Sequence, residues 1–159
     1  MSRKLIDNRK YEQLVSDAGA MDYDTVITTE YAYMNKYFTT SKWGRRFHEL
    51  FLDYGCGSGV NSQILASLGR EVVASDISRG MVKITKQKCN VPVVVADALS
   101  LPFKNKAFST ICITGVLHHI LDLNRAFDEI SRCAKEVVCI EEPTTKGIPS
   151  LVWSIVSSR

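Results

Sequence analysis

Apolar positions along this chain follow two different periods. Short runs of β-branched and other apolar residues predict five buried strands, at 50–54, 71–75, 91–96, 107–114 and 136–140. Between them, apolar residues at helical spacing predict helices, one of which Ser78 can cap. The clearest helix is capped by Asp122 and is lined by Leu123, Ala126, Phe127, Ile130 and Ala134. Because strands and helices alternate, the pattern predicts an α/β fold built on a doubly wound, mostly parallel sheet.

Two helical regions are predicted before the first strand, at 3–18 and at about 28–50. The second is rich in aromatic residues and is predicted to break near 39–41. Its aromatic side chains either cover a ligand as a lid or pack the helices onto the sheet, as large aromatic residues commonly do. We therefore expect one domain over 1–159, with a helical or lid region at 1–48, a core at 49–143 and a tail at 144–159.

The first predicted strand runs into a turn with glycine at three alternate positions, Gly55, Gly57 and Gly59. Such a turn allows backbone conformations closed to other residues and lets a ligand approach the main chain. The dinucleotide fingerprint G-x-G-x-x-G would require glycine at position 60, which is Val60. Asp53 also precedes the turn, and its carboxylate would repel a phosphate but attract an amine. The turn therefore favours a zwitterionic or cationic ligand over a nicotinamide dinucleotide.

Three aspartates, Asp53, Asp76 and Asp97, come at the ends of the first three predicted strands. In an open α/β sheet, ligands bind beyond the carboxyl ends of the strands. A strand order of 3-2-1-4-5 would place all three carboxylates along one rim. For Asp76 the alternative is a carboxylate that stabilises a helix N-terminus, and for Asp97 an ordinary turn residue.

Composition narrows the class of protein only slightly. The chain has 159 residues, 45% of them hydrophobic and 23% charged, which is ordinary for one globular domain. The net charge of +3 is small and no basic stripe is present, so neither a nucleic-acid partner nor a membrane surface is indicated. No apolar stretch approaches the length of about 20 residues that a membrane span needs.

Cysteine usage and the first residues bear on location. The chain has five cysteines and no C-x-x-C pair, so a zinc site is not expected and a reduced, cytoplasmic setting is favoured. Residues 1–8 are polar and lack the apolar stretch of a secretory signal.

The stretch Asp53-x-Gly55-x-Gly57-x-Gly59 resembles the first motif of class I S-adenosylmethionine-dependent methyltransferases, which have a Rossmann-like fold. Further motifs follow in the order of that family: Asp76, Asp97 with a Leu-Pro-Phe at 101–103, the segment 107–120, and Glu-Glu-Pro at 141–143. The resemblance covers about residues 45–143 and is greatest to the small-molecule group that includes ubiquinone and menaquinone methyltransferases. It implies S-adenosylmethionine as cofactor and a small-molecule methyl acceptor.

The resemblance also implies roles for individual residues. The turn Gly55, Cys56, Gly57 and Gly59 would lie against the methionyl and ribose parts of the cofactor, with Asp53 near its ammonium group. Asp76 would accept hydrogen bonds from the ribose hydroxyls. The remaining contacts would be Ile77 on the adenine face, Asp97, Ala98 and Leu99 at the adenine edge, and Thr114 beside the methionyl end.

His118 is the candidate general base, because imidazole titrates near neutral pH. The alternative is that one of His118 and His119 braces the loop while the other packs. A base is needed only for a poor nucleophile, since the sulfonium methyl is already activated and positioning supplies much of the rate. His48 is expected to be structural.

The family's sheet normally ends in a hairpin of two antiparallel strands, for which the residues after 143 are too few. Strand five is therefore expected to be an uncovered edge, through which a homodimer could form. A truncated or non-catalytic domain that binds S-adenosylmethionine or S-adenosylhomocysteine is the main alternative to an enzyme. A nicotinamide-dependent oxidoreductase fits the glycine spacing and Asp53 less well.

Overall fold

The structure is a computed structural model that describes residues 30–142 and 150–155. The helix predicted at 3–18 lies outside the described residues. Six described strands form one sheet in the order β3-β2-β1-β4-β5-β6. They are β1 (Phe51–Tyr54), β2 (Val72–Asp76), β3 (Val93–Val95), β4 (Phe108–Thr114), β5 (Ala134–Glu142) and β6 (Ser150–Ile155).

The first five strands are mutually parallel, which confirms the predicted doubly wound sheet and its strand order. Four described helices connect or precede them: α1 (Glu30–Arg46), α2 (Val60–Ser67), α3 (Arg79–Lys88) and α4 (Leu123–Cys133). The two predicted side-chain caps are present, because Ser78 accepts a hydrogen bond from the Met81 amide and Asp122 from the Arg125 amide. Gly69 follows α2 with φ of 71°, the left-handed conformation expected after a helix.

The two faces of the sheet are covered by different elements. One face packs Phe51, Cys112 and Cys139 against Trp43 of α1 and Leu65 of α2. The opposite face holds the larger apolar cluster, which includes residues of β1, β4, β5 and α4. The polar site described below lies on the first face, at the carboxyl ends of the strands.

The structure corrects the prediction that β5 is an uncovered edge. Residues 150–155, which lie in the predicted tail, form β6 and pair antiparallel with β5 over six residue pairs, from Val137↔Ile155 to Glu142↔Ser150. Without a neighbour on this side, β5 would expose a row of unpaired backbone N–H and C=O groups, and β6 pairs with them. Strand β5 is therefore not the exposed edge of the sheet, and the homodimer through a sheet edge stays a prediction.

Two helix predictions also differ from the structure. Helix α1 continues without a break through 39–41, because Thr40 and Ser41 are buried inside it and Thr40 donates a hydrogen bond to Asn61. In α4, the buried positions are Ala126, Ile130 and Cys133, whereas Leu123 and Phe127 are 41% and 39% exposed. The helix thus turns a narrower apolar stripe toward the sheet than its periodicity predicted.

Candidate cofactor site

The glycine turn connects β1 to α2 and is held from the side by α3. The Thr85 hydroxyl donates to the Gly57 carbonyl at 2.8 Å, and the Cys89 thiol to the Gly59 carbonyl at 3.4 Å. All three glycines have positive φ, of 68° at Gly55, 53° at Gly57 and 83° at Gly59. The backbone conformation of the turn is therefore by itself enough to require glycine at these positions.

Two of these glycines also lack room for a side chain, because side chains of the protein itself fill the space. A Cβ on Gly55 would meet a Val116 methyl at 2.5 Å, and one on Gly59 would meet Thr85 at 2.8 Å. The sequence explained the glycines by the approach of a ligand. The structure adds that the close neighbours of Gly55 and Gly59 are protein side chains, so both would be required even without a ligand.

Asp76 ends β2 beside the turn, as predicted. Its carboxylate accepts hydrogen bonds from the Gly57 amide at 2.8 Å and from the Ser78 amide at 2.9 Å. The second of these is at the start of α3, so the structural role considered for Asp76 is present. A carboxylate can accept about four hydrogen bonds, so this structural role does not conflict with contacts to the hydroxyls of a ribose.

Asp53 is completely buried below the turn. Its Oδ2 accepts a 2.6 Å hydrogen bond from the Ser62 hydroxyl of α2. Asn61 is close enough to favour the charged form, but no donor among the described residues reaches Oδ1 at hydrogen-bond distance. Burial raises the pKa of this carboxyl, and Ser62 and the nearby Lys36 act against that shift.

Two further buried hydroxyls near Asp53 have no hydrogen-bond partner within 30–142 and 150–155. They are those of Ser58, in the glycine turn and 2% exposed, and Thr114, at the end of β4 and 8% exposed. Buried polar groups are nearly always paired, because leaving one unpaired costs about 1–3 kcal/mol. The three unpaired atoms at the carboxyl ends of β1 and β4 therefore indicate a place where a polar ligand binds.

The register of the sheet places Asp53, Thr114 and Glu141 on one face. Asp53 is opposite Cys112, Cys112 is opposite Cys139, and Thr114 is opposite Glu141. Partners in a parallel pair, and residues two apart in a strand, point to the same face. Glu141, only 7% exposed, thus extends the polar group from β1 to β5.

Lys36 of α1 lies over this group. Burial lowers the pKa of its ammonium group, and the charges of Asp53 and Glu141 oppose that shift. Lys36 precedes Thr40 by one helical turn and Trp43 by two, and both of those residues are completely buried on the sheet. The described part of α1 therefore places an ammonium group beside two buried carboxylates.

The residues predicted for the adenine edge lie in the connection between β3 and β4. Asp97 Oδ1 accepts from the Leu99 amide at 2.9 Å, and the Ala98 carbonyl accepts from the Tyr54 hydroxyl at 3.3 Å. Arg125 of α4 donates to the Leu99 carbonyl at 2.9 Å. These hydrogen bonds hold the connection in one conformation. Because β3 pairs with β2, the connection begins near Asp76, at the end of β2, and near Ile77, which follows it.

His118 and His119 form a short 3₁₀ turn with Leu117 after β4, as the sequence suggested. Both rings are exposed, and their centroids are 4.0 Å apart. His118 lies four residues beyond Thr114, at the open side of the site. The structure is compatible with either role considered for it.

Several residues of this site were not predicted from the sequence. Ser58 and Ser62 carried no signal beyond their neighbourhood to the glycines, and Lys36 belongs to a helix whose only visible signal was aromatic. Glu141 was noted as part of a motif but was given no role. Cys56, which was predicted as a contact, is buried with its thiol 3.7 Å from the Thr85 hydroxyl, and burial raises its pKa.

Within the described ranges, no group of three or more potential metal ligands comes together. No helix in this part of the chain has both the length and the apolar character needed to cross a membrane.

A model of the methyltransferase domain family matches residues 52–137, which is more than half of the chain. Among curated relatives, the chain is 46% identical over 89 residues to an uncharacterized protein of Methanocaldococcus jannaschii, covering 55% of this chain and 34% of the relative. It is 34% identical over 100 residues to a demethylmenaquinone methyltransferase of Corynebacterium urealyticum, covering 62% of this chain and 43% of that enzyme.

The fold is also that of a solved structure, magnesium protoporphyrin IX methyltransferase from Synechocystis with bound S-adenosylmethionine. The TM-score is 0.78 at 17% identity, covering 92% of this chain and 81% of the other. The fold and the glycine turn define a class I S-adenosylmethionine-dependent methyltransferase domain. The chain belongs to the methyltransferase domain family, whose cofactor is S-adenosylmethionine. It spans 34% and 43% of the lengths of the two curated relatives named here.

Proposed function

We propose that this protein transfers a methyl group from S-adenosylmethionine to a small-molecule acceptor. The observation that carries the proposal is the set of unpaired buried polar atoms, Asp53 Oδ1, Ser58 Oγ and Thr114 Oγ1, beside the glycine turn. A ligand with an amino-acid end supplies donors and acceptors to such atoms, whereas an apolar ligand would leave them unpaired. The residues present therefore fit the cofactor of the family.

In this arrangement Asp53 binds the ammonium group of the cofactor, and Thr114 lies beside its methionyl end. Asp76 binds the ribose hydroxyls with the accepting capacity left by Gly57 and Ser78. Ile77 packs on the adenine, with Asp97, Ala98 and Leu99 at its edge. When bound, the cofactor supplies an activated methyl group on a sulfonium.

The chain's contribution to the reaction is positioning. The glycine turn and the β4 end hold the donor in one orientation, so that an acceptor entering from the side of His118 meets the methyl group in line. His118 removes a proton where the acceptor is a hydroxyl or another weak nucleophile. The name of one relative, demethylmenaquinone methyltransferase, supports including quinone acceptors among the candidates.

Calorimetric titration of the full chain with S-adenosylmethionine, S-adenosylhomocysteine and NADH tests the site. We expect the two sulfur ligands to bind at micromolar concentrations and NADH not to bind. Asp76→Asn should weaken binding of both sulfur ligands by about 1–3 kcal/mol, because a ribose hydroxyl loses a charged acceptor. Asp128→Asn, an exposed carboxylate of α4, is the matched control and should bind normally.

Turnover is tested separately with a panel of phenolic, quinone and amine acceptors and detection of S-adenosylhomocysteine. A methylated product from any acceptor supports the enzyme. Cofactor binding without product across the panel would favour the non-catalytic binding domain instead. A folded sample that binds neither sulfur ligand would contradict the proposed site itself.

A further inference from the structure

The proposed cofactor has two charged groups at its amino-acid end, an ammonium and a carboxylate, and only the ammonium has been given a partner so far. The residues around that end are Asp53, Thr114 and Glu141 on the sheet face and Lys36 above them on α1. Two of these four are buried carboxylates. Within the described part of the chain, Lys36 is the cation whose charge acts on the Asp53 carboxyl.

The position of Lys36 follows from the packing of α1. Thr40 donates to the Asn61 side chain at the start of α2, at 3.0 Å, and Trp43 packs on Phe51 and Cys112. Residues 36, 40 and 43 share one helix face, so Lys36 lies about 10 Å from Trp43 along the axis. This distance takes Lys36 from the apolar part of the sheet face to its polar carboxyl end.

The Asp53 carboxyl lacks a donor at one of its two oxygens. Among the residues that the structure describes, none donates a hydrogen bond to Oδ1, and leaving a buried oxygen unpaired is costly. The ammonium of an amino acid supplies a donor to this atom, and the carboxylate of the same amino acid then needs a positive partner of its own.

We propose that Lys36 binds the carboxylate of the cofactor's amino-acid end, while Asp53 receives its ammonium group. The two protein charges then recognise the zwitterion as a unit, with Thr114 as a neutral contact between them. Lys36 is a binding residue of the first described helix, and neither the glycine motif nor the sequence resemblance assigned it. This inference rests on the proposed cofactor site.

The opposite arrangement is that Lys36 serves only as the counter-ion of Asp53 and Glu141. In that case the ammonium of the ligand competes with Lys36 for Asp53, and removing Lys36 would leave affinity unchanged or improve it. The two arrangements therefore differ in the sign of the effect.

The test is a cycle of four affinities, measured by calorimetry with the full chain. Wild type and Lys36→Met are each titrated with S-adenosylmethionine and with decarboxylated S-adenosylmethionine, which keeps the sulfonium and the ammonium but lacks the carboxylate. We expect Lys36→Met to weaken S-adenosylmethionine binding by about tenfold or more, as for loss of a charge-assisted hydrogen bond, and to weaken the decarboxylated ligand far less. Lys36→Arg should restore most of the affinity.

Lys42→Met removes an exposed cation from the same helix and should leave all affinities within about twofold. Titration with 5′-methylthioadenosine, which lacks the whole amino-acid end, reports whether the nucleoside part of the site is intact in each variant. Equal losses for both sulfonium ligands, or tighter binding by Lys36→Met, would overturn the inference while leaving the proposed function in place. Failure of folded wild type to bind any of the three ligands would overturn both.

Discussion

Two regions with charged groups flank the glycine turn. One is the connection between β3 and β4, and the other is the pocket below α1, formed by Lys36, Asp53, Ser58, Thr114 and Glu141. At the connection, Arg132 and Glu129 of the adjacent helix α4 are paired within the protein. Arg132 of α4 donates to the carbonyls of Leu101 and Phe103 at 3.0 and 2.7 Å, and it forms two hydrogen bonds to Glu129. Glu129 in turn accepts from the Leu101 amide at 2.7 Å, and Arg132 lowers its pKa.

In the pocket the same kinds of group are left incomplete. Asp53, Ser58 and Thr114 each keep a buried oxygen without a partner among the described residues, and the charges of two carboxylates, Asp53 and Glu141, act on Lys36. A protein that needed this region only for stability would gain by pairing or removing such groups. The difference between the two regions is that the charged side chains of α4 clamp the connection in place, whereas the unpaired oxygens of the pocket match the polar groups of a ligand.

The largest effect on stability should come from the glycine turn, which lies between the two regions. Gly55→Ala forces a residue with a Cβ into φ of 68° and against a Val116 methyl at 2.5 Å. The left-handed backbone costs about 1–2 kcal/mol and the clash about 1–3 kcal/mol more. Urea unfolding should therefore show that the free energy of unfolding of Gly55→Ala is lower than that of wild type by several kcal/mol.

Gly69→Ala is the matched control, because Gly69 has φ of 71° but nothing within 4 Å of an added Cβ. Its cost should be the backbone part alone, about 1–2 kcal/mol. Adding Val116→Ala should recover part of the loss in Gly55→Ala. Equal losses at the two glycines would mean that the contact with Val116 does not constrain the turn.

The next effect should come from the structural clamp. Arg132→Ala removes the donors to Leu101, Phe103 and the Asn105 side chain and leaves Glu129 without its ion pair. Because the Arg132 side chain is 30% exposed, water can replace some of the lost hydrogen bonds. We therefore expect the free energy of unfolding, measured with urea, to fall by about 1–2 kcal/mol.

Binding separates the clamp from the pocket. In Arg132→Ala, S-adenosylmethionine and 5′-methylthioadenosine should weaken together, since both use the connection at the adenine edge. Lys104→Ala, an exposed cation of the same connection, serves as the control. A loss confined to S-adenosylmethionine would contradict the division into a clamp and an amino-acid pocket.

The smallest effect on stability should come from the pocket, and its sign should be favourable. Burial raises the pKa of Asp53 above the ordinary 3.8, so the ionised form is disfavoured in the folded protein. Stability associated with this carboxyl is therefore fully present below the unfolded pKa and is lost as the pH rises through the raised folded pKa. Asp53→Asn cannot ionise and escapes that loss, and Asn keeps an acceptor for Ser62.

Asp53→Asn should thus be as stable as wild type at neutral pH or more stable by about 1 kcal/mol, since Glu141 still accompanies Lys36. Its affinity for S-adenosylmethionine should fall by about tenfold or more. Thermal unfolding from pH 4 to 8 and calorimetry check both halves. A clear loss of stability at neutral pH would show that attraction between Lys36 and Asp53 outweighs the burial of the carboxylate.

Local patterns were sufficient to predict the parallel sheet, the helix caps at Ser78 and Asp122 and the glycine turn, whereas the strand order was expected from the resemblance to the methyltransferase family. These features depend on residues close together in the chain: apolar runs form strands, and caps and turns need particular residue types at short spacing. The three aspartates could be placed on one rim because the ends of parallel strands share an edge. The roles predicted for them individually stay predictions.

Other features were decided by packing between distant segments. The antiparallel pairing of β6 with β5 had no periodic signal in the six residues of β6, of which four are apolar and two are serine. Lys36 is separated from Asp53 by 17 positions and from Glu141 by 105, and nothing in α1 distinguishes it from the exposed Lys42. Only the burial of Thr40 and Trp43 sets the rotation of α1, and that rotation places one lysine over the buried carboxylates and the other in solvent.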